Sequence, residues 1–282
     1  MHNQGIDVDN MLRLGWEGNS KATYHFLQNP VHSDDNVQWL GKIINPGQSG
    51  TINAYYNGTV NGDFLKVTYT NLENSSYKGE RIGKIIATYS NLIFDPNHKL
   101  ADARYNALGG GSFPNNRKGF NSISIYKNIY LGLWIGNAKS VDVHLEFYDK
   151  NGNKIDLSDK GYVFAGSLNS YKWGDYVEKE KLLTPGSVII PNGSKVKNHA
   201  GNIVYADERI DGIDENWENN HPIWGTAIFK ANGNNVGIRY IADNKSSVGS
   251  GSWFYTRTSL NDVDAPLSAE IHYHHTNVAL QH

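Results

Sequence analysis

Between residues 141 and 148 the side chains alternate. Val141, Val143, Leu145 and Phe147 fall on one face, and Asp142, His144, Glu146 and Tyr148 on the other. A period of two belongs to a half-buried β-strand and not to a helix. Residues 64–70 repeat it, with Leu65, Val67 and Tyr69 set against Lys66, Thr68 and Thr70. Further β-branched or aromatic runs occupy 24–27, 40–44, 51–56, 84–90, 123–135, 162–168, 187–190, 203–206, 223–229, 236–241 and 252–258. Turn residues divide them, among them Asn45-Pro46-Gly47-Gln48 and Asn57-Gly58. Asn-Gly is the strongest two-residue hairpin signal. Short strands with turn signals at this spacing predict an all-β sandwich or barrel. No fixed-period repeat and no linker divides the chain. Two helical readings are admitted, a short helix over 8–16 and a solvated turn or short helix at Glu178-Lys179-Glu180-Lys181. Residues 95–118 read as an exposed excursion. Gly109-Gly110-Gly111 within it is no phosphate loop, because the lysine and the Ser/Thr of that motif are missing.

Composition removes several function classes. Cysteine is absent, which excludes disulfides, thiolate metal sites and cysteine nucleophiles. The net charge of −2 provides no global basic field to gather nucleic acid. No apolar run approaches the length of a membrane span. A turn-rich, aromatic-rich chain without cysteine fits an exported protein of a Gram-positive bacterium. Met1-His2-Asn3-Gln4 carries no apolar signal core, so signal and anchor are expected outside this sequence.

The most informative stretch runs from Val204 to Phe229. Its loop, 207–222, holds Asp207, Glu208, Asp211, Asp214, Glu215 and Glu218 against a single Arg209, with Trp217 inside and Trp224 at the exit. A loop this long is functional or disordered, and tryptophans argue against disorder. Aromatic walls with carboxylates suit a neutral polyhydroxylated ligand. A sugar stacks its C–H face on an indole and gives its hydroxyls to Asp, Asn or Glu. The stacking candidates are Trp173, Trp217 and Trp224. The polar candidates are Asn169, Asp175, Asp207, Glu208 and Asp214. Each indole has the alternative of being a core residue; that reading is favoured for Trp134, and for Trp16 and Trp39 as core or seam. Asp211, Asp214, Glu215 and Glu218 are hard oxygen donors of the kind calcium takes, although the Asp-x-Asp-x-Asp-Gly loop is absent. No other cofactor is expected. His272, His274 and His275 read as a tail before a metal site.

Catalysis is not expected. No Gly-x-Ser-x-Gly elbow is present. Adjacent acids such as Asp207 and Glu208 would point to opposite faces of a strand, not across a sugar as a glycosidase pair must.

The run LKVTYTNLENSSYKGERIGKII over 65–86 resembles the variable domain of streptococcal antigen I/II adhesins and the related glucan-binding protein C. Later blocks match in the same order: EFYDKNG at 146–152, SLN at 167–169 and IVYADE at 203–208. Gly47-Gln48-Ser49 and Trp224-Gly225 fit as well. The resemblance implies one elaborated lectin-like antiparallel β-sandwich, a supersandwich with a loop-lined cleft and a few short helices, over 39–265. Residues 1–38 then form a lead-in packed on that domain. Residues 266–282 form a C-terminal extension, with His282 as a candidate tag remnant. It also implies a monomeric domain on a stalk, extracellular and anchored to the cell wall. Its expected partners are carbohydrate, as host glycoprotein glycans or glucan. The enterococcal relatives add extracellular DNA and lipoteichoic acid, for which Lys172, Lys179, Lys181, Lys195 and Lys197 are the basic candidates. A host protein is the third class of partner.

Overall fold

The computed structural model describes residues 10–36, 50–96, 120–171, 176–210, 221–245 and 251–260. Every strand pairing within them is antiparallel. The largest sheet has nine strands. Across it run Val196–His199, Ile203–Ala206, Tyr176–Leu182, Val236–Asn244, Ala138–Tyr148, Lys84–Phe94, Val60–Thr70 and Lys21–Phe26; Ser170–Tyr171 pairs with Tyr176–Leu182. A five-stranded sheet holds Gly251–Phe254, Leu133–Gly136, Phe120–Tyr126, Thr51–Asn57 and His32–Asn36. A four-stranded sheet holds Gly186–Ile189, Ala227–Ala231, Tyr162–Ala165 and Thr256–Arg257. Leu12–Leu14, Ser75–Tyr77 and Glu80–Arg81 form a small fourth sheet. No sheet closes into a barrel, so the layered alternative stands.

Register explains the core. Across the large sheet Leu65 lies opposite Tyr89, which lies opposite Val143, which lies opposite Ile238. The neighbouring row is Val67, Ala87, Leu145 and Val236. All eight side chains are buried. They belong to one apolar cluster with Ile52, Ala54, Ile123 and Ile125 of the five-stranded sheet and Val163, Ala165 and Phe229 of the four-stranded one. One core therefore sits between the large sheet and both smaller ones. Each large side chain buried there contributes about 1.5–3 kcal/mol. Trp134 is in the interior, with Nε1 donating to Tyr126 Oη at 3.0 Å. Trp16 is half-buried, edge-on to Tyr130, and Trp39 lies outside the described residues.

Residues 10–36 are woven into this scaffold, supplying strands to three of the four sheets. Glu17 fastens them. Its buried carboxylate accepts hydrogen bonds from the backbone N–H of Glu73 at 2.6 Å and of Asn74, and from Ser75 Oγ at 2.7 Å. Burial raises its pKa, and these three donors oppose the rise.

Four sequence expectations need correction. The helix expected over 8–16 is, in its described part, the strand Leu12–Leu14, paired to Ser75–Tyr77; tertiary pairing overrides the local start and stop signals. The run 123–135 is two strands that pair with each other, Leu133 opposite Ile125, around a 3-10 turn Ile129–Leu131 that Asn128 caps. The run 223–229 begins as a 3-10 turn, Pro222–Gly225, because Pro222 presets φ at its first position; the strand starts only at Ala227.

The fourth correction is the largest. Glu178-Lys179-Glu180-Lys181 is neither a turn nor a helix but the middle of the strand Tyr176–Leu182. Its period of two sends both lysines outward and both glutamates inward, each 0 % exposed. The charges hid a strand that is amphipathic by position and not by hydropathy. Glu178 Oε1 accepts from the Asn169 backbone N–H at 3.4 Å. Neither carboxyl oxygen of Glu180 has a hydrogen-bond partner among the described residues. Desolvation, then the neighbouring Glu178, pushes the Glu180 carboxyl well above its ordinary range, so it is held protonated. The unfolded chain releases this proton near the ordinary value of 4.5, while the folded chain retains it. Stability from this group is therefore highest in acid and declines as pH rises past that value. Glu180→Met, similar in volume and free of unsatisfied oxygens, is expected to stabilise the protein at pH 7 by about 1–3 kcal/mol. Urea denaturation at pH 4.5 and 7.5 checks this, and the gain should be smaller at the lower pH.

Candidate functional site

Antiparallel pairing gathers sequence-distant chain ends. Phe94, Ala138, Asn244, Tyr176 and Ala206 all finish or begin their strands at one end of the nine-stranded sheet. The segments leaving there include 172–175, 207–221 and 245–250. A hollow of about 300 Å³ lies at this end, lined by Asp95, Lys139, Asp243, Asn244 and Lys245 with Ile241 and Ala242.

Beside it, four stretches converge at the root of the long loop. Asn169 is buried, and its carboxamide grips Ile210 on both sides: Nδ2 donates to Ile210 O at 3.0 Å and Oδ1 accepts from Ile210 N–H at 2.9 Å. Oδ1 also accepts from Ser170 N–H, and Ser170 Oγ donates to Ala206 O at 2.8 Å. Both ends of the Asn169 carboxamide are thus engaged in anchoring the root of the loop. The exit of the loop is held equally. Lys195 N–H donates to Trp224 O at 2.9 Å, Leu168 N–H to Gly225 O at 3.0 Å and Thr226 Oγ1 to Pro222 O at 2.6 Å.

Trp224 is half-buried and packs on Ala206 and Ile210. The exposed His221 stacks on its indole, with centroids 4.1 Å apart, and Lys195 Nζ lies 4.3 Å from the ring centre. Asp207 and Glu208 are both exposed where the strand Ile203–Ala206 ends. Asp207 accepts from His199 Nε2 at 2.8 Å and pairs with Lys197 at 3.1 Å. These two contacts, His199 first, hold its carboxyl below the ordinary carboxylate range. His199 also stacks on Tyr205 at 3.5 Å, and Lys179 sits over the same tyrosine while pairing with Asp243 at 3.0 Å.

The structure therefore brings Asn169, Asp207, Glu208 and Trp224 to one loop-rooted cluster. Trp173, Trp217, Asp175 and Asp214 lie outside the described residues, as do Asp211, Glu215 and Glu218 of the candidate calcium set, Lys172, and His272, His274 and His275. Among the described residues no three His, Asp or Glu side chains converge as a metal would require. His199, His221 and Tyr205 were not singled out from the sequence. For His199 and Tyr205 the signal is the hairpin register, which sets Lys197 opposite Tyr205 and His199 opposite Ile203; for His221 it is the 3-10 turn that it precedes.

A family model described as glucan-binding protein C matches residues 58–257, well over half of the chain. Solved structures share the fold. One is the glucan-binding protein C of Streptococcus mutans, whose structural study concerns sucrose-independent and sucrose-dependent adherence. It is 19% identical with a TM-score of 0.62, over 92% of this chain and 80% of that one. Another is the adhesin domain of PrgB from Enterococcus faecalis bound to DNA. It is 19% identical with a TM-score of 0.61, over 91% of this chain and 96% of that one. The same adhesin domain without DNA matches at 17% identity, with a TM-score of 0.57 and 91% of each chain covered.

Asn169→Ala is expected to destabilise the protein by about 1–3 kcal/mol, because it leaves two polar groups of the buried Ile210 unpaired. Amide exchange should rise at Ile210 before it rises in the central strands.

Proposed function

We propose that this chain, which belongs to the glucan-binding protein C family, acts as a non-catalytic adhesin domain that binds carbohydrate at the loop-bearing end of its large sheet. The supporting observation is Trp224, an indole held on a short 3-10 turn with its backbone tied down and packed on Ala206 and Ile210, at the foot of the same loop that opens with the exposed Asp207 and Glu208. A sugar ring would stack on that indole by displacing the exposed His221. Asp207 stays ionised and would accept hydrogen bonds from sugar hydroxyls. Trp173, Trp217, Asp175 and Asp214 belong to the same proposed surface, and calcium held by Asp211, Asp214, Glu215 and Glu218 would order it. Burial of one aromatic face is worth about 1–3 kcal/mol. Binding per sugar is therefore weak, and adhesion rests on many copies displayed at a cell-wall surface.

A polyanion ligand is the second reading. It is supported by the DNA-bound relative, by Lys179, Lys181 and Lys197, which Tyr176–Leu182 and its neighbouring hairpin carry, and by Lys195 over the Trp224 ring. Among these, Lys179 and Lys197 already face Asp243 and Asp207, which lowers the field available to phosphates. DNA and lipoteichoic acid share this chemistry. A host protein bound away from the indole is the third reading.

On a glycan array the wild-type domain should bind, and Trp224→Ala should weaken binding at least about tenfold with the fold intact by circular dichroism. A wild-type domain silent on the array, yet shifting duplex DNA with an affinity that falls steeply between 50 and about 200 mM salt, would replace the first reading with the second.

A further inference from the structure

The strand Lys21–Phe26 ends the nine-stranded sheet. Its one described partner is Val60–Thr70, with Lys21 opposite Thr70 and Phe26 opposite Leu65. Alternate residues of such a strand direct their N–H and C=O groups away from the sheet. Its inward-facing side chains are Ala22, Tyr24 and Phe26, which lie opposite Tyr69, Val67 and Leu65. Those three partners are essentially fully buried, whereas Tyr24 is 37% exposed. Tyr24 sits edge-on to Phe26 with centroids 5.7 Å apart. Leu27 at 48% and Val31 at 58% exposure follow in the turn after the strand. Three of the four exposed large hydrophobic side chains among the described residues are thus on this strand or in the turn after it.

The outward face has the opposite character. Lys21, Thr23 and His25 stand beside Thr70, Thr68 and Lys66, and Lys84 follows beyond Thr70. The acids closest in sequence, Asp63 and Glu73, lie towards or past the two ends of this patch. Lysines alone protect a sheet edge from pairing, but an edge that also presents Tyr24 and Phe26 is not protected on its other face.

We propose that this edge accepts an extended peptide segment of a protein partner as an additional antiparallel strand. The segment would alternate acidic with apolar residues. Acidic residues would lie over Lys21, His25 and Lys66, and apolar ones over Ala22, Tyr24 and Phe26. Main-chain hydrogen bonds give affinity, and the two faces give specificity. The position is on the lateral margin of the sheet, so it acts independently of any ligand held at the loop-bearing end.

The test uses the whole chain and a fluorescein-labelled octapeptide, (Glu-Val-Glu-Leu) repeated twice, in fluorescence anisotropy. The alternating peptide should bind, while a version with its four glutamates grouped at one end, and one with lysine for glutamate, should bind at least tenfold more weakly. N-methylation of alternate peptide amides in the two possible registers should abolish binding in one register and spare it in the other. The variants K21E/H25E and, separately, K66E should each lose at least tenfold, and both carry exposed substitutions, with folding checked by circular dichroism. Absence of binding overturns the proposal. So does binding indifferent to peptide pattern or to both N-methyl registers, which would reduce the site to bare charge attraction. A concentration-dependent dimer of the wild type in sedimentation velocity, lost in K21E/H25E, would make a second copy of the chain the occupant and overturn it equally.

Discussion

The in-and-out register of the nine-stranded sheet is the constraint on which the molecule depends. Because side chains alternate with a period of two, a one-residue slip of any strand would turn its entire inner set to solvent. The row from Leu65 through Tyr89 and Val143 to Ile238 shows how tightly that is specified: four strands, none adjacent in the chain beyond a hairpin, agree on which residues are inside. The same register places Lys179 and Lys181 outward, and it draws Glu178 and Glu180 into the interior. A strand whose inner residues are acids tolerates them only because the rest of the row is committed. Hydrophobic burial over the whole core outweighs the cost of one unsatisfied carboxyl by a wide margin.

Much of the scaffold is legible in the sequence because alternation is a local property. Residues 141–148, 64–70, 84–90 and 236–241 all announce their strands, and Asn57-Gly58 announces a turn in which Gly58 takes φ of +80°. What stays hidden is what tertiary contacts decide. Leu12–Leu14 is extended because Ser75–Tyr77 is there to receive it. Tyr176–Leu182 is a strand because its neighbours on both sides are. No window of ten residues carries that information. The candidate site divides in the same way. Asp207, Glu208 and Trp224 stand out as residue types in a long loop. The anchoring role of Asn169 needs the position of Ile210, forty-one residues later, and the histidine beside Asp207 needs the hairpin register.

Surfaces of different character follow from this arrangement. At one end of the large sheet, acids, an indole and paired lysines crowd together, and their charges largely compensate one another, as in Lys197 with Asp207 and Lys179 with Asp243. At the lateral margin, Lys21, His25 and Lys66 line one face of the edge strand and Ala22, Tyr24 and Phe26 the other. The first suits the hydroxyl-rich ligand proposed for it, and the second suits the proposed polypeptide.

The fastening of the long loop at both of its feet has an evolutionary reading. Asn169 grips Ile210 at the entrance, and Lys195, Leu168 and Thr226 hold the turn Pro222–Gly225 at the exit. Between fixed posts, doubling the number of intervening residues costs only about 0.6 kcal/mol in closure entropy. The stretch between them is then an exchangeable cassette, free to lengthen, shorten or change its chemistry while the layered frame keeps its shape. Under the proposed reading, attachment targets would then change by rewriting only those intervening positions, without renegotiating how the domain holds itself together.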